Sequence, residues 1–264
     1  FMYYKDLTEF KKSCGYEIDG MWYPRVTSII SIKAKPALYK FYADHGDFAT
    51  AEAMKNKSAQ EGTLVHDVIE RLLTSQEVPI PDAVKPIVDA FREFRNQHDI
   101  VAHQIETKIF SKKHGYAGTI DVLAEVDGKL GILDIKTSYA IYRDYGIQTA
   151  AYVEALYELP SIPDLTRWIL RLDQSRACLR ACGARLREKG GSSKIKTNRH
   201  PQAHTCSHIW GDLTGDIEFK ELKDYDHDLS AFLASKTLWE WEHDYWISKI
   251  RKSNKRYLQL PANV

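Results

Sequence analysis

The 264-residue chain sets 37 Lys and Arg against 36 Asp and Glu, a net charge of +1, so a uniformly basic coat is excluded and any hold on nucleic acid must come from local patches. Its 44% hydrophobic and 28% charged residues are ordinary for a globular protein of one large or two small domains, which excludes disordered and fibrous classes. Four cysteines make no disulfide scaffold, the apolar runs are too short to span a bilayer, and Lys5, Asp6, Glu9, Lys11 and Lys12 stand where a secretion segment would be apolar. An intracellular, cytoplasmic protein (or a viral one in the host cytoplasm) with reduced thiols and no membrane partner is the expectation.

Taken in order, Tyr16 to Val26 reads as a hairpin turning at Asp19-Gly20, after which Thr27 or Ser28 caps a short helix through Ile32. From Pro36 a helical pattern places Leu38, Phe41 and Tyr42 on one side. A second, Ala-rich helix follows from Asp47 to Lys57. Tyr39, Tyr42 and Phe48 are candidates to stack on bases, though rings at helical spacing are more often core. Glu61-Gly62-Thr63 breaks and restarts the helix, which then buries Val65, Val68, Ile69 and Leu72. His66 and Glu70, four apart, share a neighbouring face. Asp82 to Gln97 is an amphipathic helix, and Ile105 to Ser111 a strand that carries Glu106.

The stretch Gly115 to Ser138 holds the chemistry. TIDVLAEV and KLGILDIKT flank Asp127-Gly128, a strong signal for a two-residue hairpin turn. If Val126 faces Lys129, then Leu123 faces Ile132 and Asp121 faces Asp134, so Asp121, Asp134 and Lys136 cluster. Carboxylates opposed at about 5 Å repel unless a cation lies between them. Mg²⁺ suits such a place, with waters and phosphate oxygens completing its shell. Lys136 then stands beside the metal as a point charge for the attacking water or for charge building on phosphorus oxygens.

Asp121 followed by Asp134-Ile135-Lys136 resembles the core of the PD-(D/E)xK nuclease superfamily. Gln148 and Tyr152 in IQTAAYVEAL resemble the Q-x-x-x-Y motif of its RecB-type branch, and His66 in GTLVHDVIERL resembles that branch's helical histidine. YPRVTSIIS is similar to phage-type and mitochondrial genome-maintenance exonucleases of the branch, and the likeness covers roughly Tyr23 to Leu159. It implies an α/β, restriction-endonuclease-like fold with a mixed central sheet flanked by helices. Residues 1–100 would form an N-terminal hairpin and helical region that contributes His66 and helps to form a passage for single strands. Residues 101–172 would be the nuclease core, 173–212 a basic insertion containing Cys and His, and 213–264 a closing strand and long helix. It further implies Mg²⁺ or Mn²⁺ held by His66, Asp121, Asp134 and the Ile135 carbonyl. Asp121, Asp134, Lys136, Gln148 and Tyr152 would be the catalytic residues, acting on DNA, chiefly single-stranded.

Ile147 to Leu159 is a helix on which Gln148 and Tyr152 lie one turn apart, able to address substrate phosphate or Lys136. Thr166 to Leu172 and Asp216 to Leu222 read as partnered strands. The Arg- and Lys-rich stretch between them is too long for a structureless loop. Cys178, Cys182 and Cys206, with His200, His204 and His208, offer donors for one zinc; a β-hairpin with reduced thiols is the plainer alternative. An iron–sulfur cluster would add Cys14, since some RecB-type nucleases place one cysteine before their motifs and three after. The last helix is expected over Leu229 to Ile250, before a basic tail of Lys249, Arg251, Lys252, Lys255 and Arg256. The sequence thus predicts a metal-dependent deoxyribonuclease, an exonuclease on single-stranded or end-frayed DNA. The alternatives are a structure-specific or restriction-like endonuclease and a catalytically silent nucleic-acid-binding module.

Overall fold

The computed structural model describes residues 3–76, 78–197 and 201–253. His200, Lys255 and Arg256, named above as candidate ligand and tail residues, lie outside them. A helix not foreseen from the sequence, α1 (Leu7–Cys14), opens the chain, with the Asp6 carboxylate accepting from the Glu9 amide. The hairpin β1 (Gly15–Ile18) and β2 (Met21–Pro24) turns at Asp19-Gly20 as its composition dictates. α2 (Val26–Ile30) begins earlier than expected, with Arg25 rather than Thr27 or Ser28 at its N-cap. α3 (Pro36–Asp44) leads into α4 (Phe48–Leu73), whose N-cap Asp47 accepts from the Thr50 amide.

The break expected at Glu61-Gly62-Thr63 does not occur: α4 runs unbroken for 26 residues. Gly62 serves close packing instead, since a Cβ there would lie 2.8 Å from Thr137 Oγ1. The tertiary approach outweighs the roughly 1 kcal/mol that glycine costs in a helix.

α5 (Lys85–Gln97) precedes the sheet. β3 (Ile100–Ser111), β4 (Tyr116–Val126) and β5 (Lys129–Lys136) form an antiparallel meander, and α6 (Asp144–Tyr157) crosses over to β6 (Thr166–Cys178), which lies parallel to β5. β9 (Trp210–Leu222) pairs along one edge of β6. The other edge holds β5 against Thr166–Arg171 and then β7 (Arg185–Lys189) at Arg176 and Ala177, so β7 takes up where β5 leaves off. β8 (Ser192–Lys196) completes the β7 hairpin. The result is a mixed α/β fold with a mixed seven-stranded sheet. β6 and β9 are each several residues longer than the expected strands and run through the boundaries drawn at 172/173 and 212/213.

Helices cover both faces. Ile120, Leu123 and Ile132 pack with Phe10, Ala151, Phe232 and Trp239 on the side of α6, α7 (Tyr225–Glu242) and α8 (Asp244–Ser253). Val122, Leu133, Ile135 and Leu170 pack with Val65, Ile69 and Phe91 on the side of α4 and α5. The single closing helix expected over Leu229 to Ile250 is interrupted at His243, whose ring stacks on Trp239 with centroids 4.3 Å apart. Tyr39 and Phe48 are exposed rather than core, and Phe48 stacks on Tyr42.

Candidate functional site

The turn residues Asp127 (φ 50°) and Gly128 (φ 78°) both adopt the left-handed region that a tight hairpin requires, and this fixes the register. Val126 pairs with Lys129, Leu123 with Ile132 and Val122 with Leu133. There the ladder ends, one step short of the expected Asp121–Asp134 pair. Ile120 packs on the α6 side and Val122 on the α4 side, although residues two apart on a regular strand share a face, so β4 twists at Asp121. Opposite it, Glu106 sits between the pairs Ile105–Val122 and Thr107–Ile120 with φ 47°, a left-handed conformation that residues bearing a Cβ seldom adopt. β4 and β5 part at this point, and Asp121 and Asp134 stand in the opening.

Asp121 Oδ2 accepts from the Ile135 amide at 2.7 Å, replacing the missing ladder bond. In an extended strand one residue's N–H and C=O leave by the same edge, so the Ile135 carbonyl also faces the Asp121 side. Asp134 is fully buried. Its Oδ1 accepts from Gln148 Nε2 at 3.2 Å, and Lys136 Nζ forms an ion pair with its Oδ2 at 2.5 Å. The Lys136 ammonium also stands 5.2 Å from the centre of the Tyr145 ring. His66, carried across the opening by α4, places Nδ1 3.9 Å from Asp121 Oδ2 and 3.6 Å from Glu70 Oε1. That Glu70 oxygen is buried without a hydrogen bond.

Burial dominates the electrostatics. It pushes the carboxyls of Asp134 and Asp121 up, against the pull of Lys136, and Glu106 rises likewise through burial and the Glu70 charge. For Lys136, burial opposes the charged form, but Asp134 and Asp121 more than offset it and the pKa is raised. For His66, burial also works against the charge, and Glu70 and Asp121 more than offset it.

On α6, Gln148 Nε2 donates to both Asp134 and the Tyr152 hydroxyl, the latter at 3.0 Å. Gln148 therefore addresses Asp134 rather than Lys136. Tyr152 is buried against Gly118, where a Cβ would come within 2.5 Å of its ring, so it braces Gln148 from within the core. α6 is itself anchored by buried Arg167, whose Nη1 donates to the Gly146 carbonyl at 3.0 Å and to Asp228 at 2.9 Å.

Beyond the end of β5 the β7–β8 hairpin closes in. Lys189 Nζ and Arg187 Nη2 donate to the Thr137 carbonyl at 2.5 and 3.2 Å, and Arg187 Nε donates to Asp173 at 2.6 Å. Asp173 also meets Arg171, which in turn bonds Asp216 and Glu218. At the hairpin tip the Gly190 amide donates to Glu61 on α4 at 2.9 Å. The β-hairpin expected in the insertion is present as β7–β8, turning at Gly190-Gly191; its docking on α4 was not foreseen.

At the far end of β6 a second group forms. One ligand atom each from Cys178, Cys182, Cys206 and His208 lie within 4.8 Å of one another, so these residues can hold a metal ion. Among the described residues this is the one Cys, His and acid group so tightly gathered; His66, Asp121 and Asp134 are more loosely arranged, with the Lys136 ammonium against Asp134. Cys14, drawn into the iron–sulfur alternative, lies apart. Its thiol donates to the Tyr4 hydroxyl and is buried with Phe10 and Trp22, so the four-cysteine set is not assembled. His204, in a short 3₁₀ turn, is not part of the group either.

Compared with known protein families and with curated proteins, the chain matches none. No helix among the described residues is long and apolar enough to cross a membrane.

Proposed function

We propose that the chain is a metal-dependent deoxyribonuclease of restriction-endonuclease-like architecture, acting as an exonuclease on single-stranded or end-frayed DNA. One observation carries the reading: a fully buried carboxylate, Asp134, and a partly buried one, Asp121, stand where paired strands part, with an ammonium 2.5 Å from Asp134. Burying acids beside one another is costly, and a purely structural sheet has no need of it.

The donors suit a hard divalent ion. Asp121, Asp134, the Ile135 carbonyl and His66 would hold Mg²⁺ or Mn²⁺, with the Glu70 carboxylate 3.6 Å from His66 Nδ1 beside them. Such an ion, when bound, polarises the scissile phosphate and makes hydroxide available near neutral pH. The chain's own residues do the rest. Lys136 sets a positive charge where the phosphorus oxygens gain negative charge; Gln148 fixes the orientation of Asp134, and Tyr152 fixes Gln148. Docking of the β7–β8 hairpin on α4, with Lys194 5.7 Å from the Phe41 ring of α3 and with Tyr39 and Phe48 exposed on α3 and α4, favours entry by a strand end over side-on capture of duplex.

Cys178, Cys182, Cys206 and His208 form a separate, soft set suited to zinc rather than to Mg²⁺. Single strands labelled and blocked at either end, incubated with Mg²⁺, Mn²⁺ or chelator, test the main reading. Metal-dependent shortening from a free end is expected, and a covalently closed single-stranded circle should survive. Prompt cutting of the circle would favour the endonuclease alternative.

A further inference from the structure

The Cys178, Cys182, Cys206 and His208 group sits at the root of the β7–β8 hairpin. Cys178 ends β6, Cys182 lies just before β7, and Cys206 and His208 lead into β9. Cys178 Sγ and Cys206 Sγ are 3.9 Å apart, far beyond a disulfide bond. Cys182 Sγ and His208 Nδ1 are 3.4 Å apart. A zinc ion with bonds of about 2.3 Å to sulfur and about 2.0–2.1 Å to nitrogen spaces tetrahedral neighbours at about 3.8 Å (S to S) and about 3.6 Å (S to N). The two observed separations bracket these edges. Ala181 (φ 54°) and Gly183 (φ 80°) fold the C-x3-C turn back, and the Ala181 amide donates to the Cys178 carbonyl at 3.1 Å, so that both sulfurs join the group.

Apolar packing at this end of the sheet is slight. The buried apolar cluster is Cys178, Cys182, Ala184 and Ala203, with Cys206 and Trp210 partly buried against it. So small a core adds little at the root of the 28-position excursion from Cys178 to Cys206, whose other ties are the β6–β7 pairing and the hydrogen bonds of Arg187, Lys189 and Gly190 farther out. A cross-linking ion adds more, because its binding free energy becomes folding free energy. What lies inside the excursion is the hairpin that reaches Thr137, next to Lys136, and Glu61 on α4.

We infer that this group is a structural zinc clasp that holds the β7–β8 hairpin across the mouth of the carboxylate site, so that zinc governs capture of a nucleic-acid strand and not the bond-breaking step. The inference concerns the same site as the nuclease reading and rests on it for the strand. The clasp itself stands on the Cys and His geometry alone.

The test combines zinc content, amide hydrogen exchange and kinetics on the full chain. Wild-type protein should hold one zinc; Cys206→Ser and His208→Ala should lose it, and His208→Cys should keep it. In the zinc-free variants, amides of residues 185–196 should exchange at least about tenfold faster while those of β4 and β5 stay as in wild type. KM for a labelled oligodeoxythymidine strand should rise about tenfold, with kcat within about threefold. If Cys206→Ser fails to fold, wild-type protein stripped of zinc and then reloaded gives the same exchange comparison. A chain that takes up no zinc, or zinc-free protein whose 185–196 amides exchange at the wild-type rate, would overturn the clasp. Zinc loss that slows kcat and leaves KM unchanged would overturn its role in capture. Zinc uptake and the exchange difference in a chain that never cuts DNA would leave the clasp standing and remove the nuclease reading.

Discussion

The two candidate metal sites lie along one edge of β6, one beside Ile169–Arg171 and the other at its Cys178 end, and are built on opposite principles. At the β5 end the donors are hard, and sheet register places them. Asp121 is tied to the Ile135 amide, Asp134 is held between Lys136 and Gln148, and α6 is locked behind them by Arg167. At the β7 end the donors are soft and come from loops, and their nearest polar neighbours are largely one another. The first site is shaped by the fold before any ion arrives; the second lends shape to the fold once an ion binds. A cation at the first is therefore suited to chemistry, and one at the second to cross-linking.

Substitutions should separate the two. Asp134→Asn is expected to have the largest effect, lowering cleavage by about 10³-fold or more and abolishing the heat of Mn²⁺ binding in calorimetry, with zinc content unchanged. Gly118→Ala should come next. Its Cβ would press within 2.5 Å of the Tyr152 ring, and the resulting shift should cost about 1–3 kcal/mol of stability in denaturant titration and displace Gln148 from Asp134. Tyr152→Phe removes only the hydroxyl that accepts from Gln148, so stability should fall by about 1 kcal/mol and cleavage several-fold in the same assays. Phe48→Ala, at an exposed ring, should leave the melting temperature unchanged and weaken strand binding by about 1 kcal/mol, read by anisotropy. Equal loss of strand binding and of stability in Phe48→Ala would place that ring in the core instead.

The sequence made the hairpin legible because Asp127-Gly128 dictates a turn, and the turn dictates register as far as Val122–Leu133. It did not reveal the twist at Asp121, which depends on the parting of two strands. Gly62 illustrates the same limit. Local propensity reads a break there, whereas the helix continues because Thr137 needs the space. The closing helix fails in the other direction: its aromatic pattern carries on past His243, but the backbone turns there under the Trp239 ring. At the cysteines, spacing supplied the candidates without choosing among them. Only the meeting of β6 with β9 selects His208 over His204, while Cys14 packs in a separate cluster with Phe10 and Trp22 and bonds Tyr4. The docking of the β7–β8 hairpin on α4 was similarly hidden, since the Glu61–Gly190 contact joins positions 129 apart.

Lys136 offers the most direct test, because its ammonium touches Asp134 and its removal spares the ligands proposed for the ion. Wild-type protein and Lys136→Ala, matched for circular dichroism and for affinity toward a labelled single strand, are incubated with Mn²⁺ and the products resolved by length. Wild-type protein should shorten the strand and Lys136→Ala should be slower by about 10³-fold. Equal rates in the two proteins, or an intact strand with wild-type protein at every Mg²⁺ and Mn²⁺ concentration, would contradict the assignment.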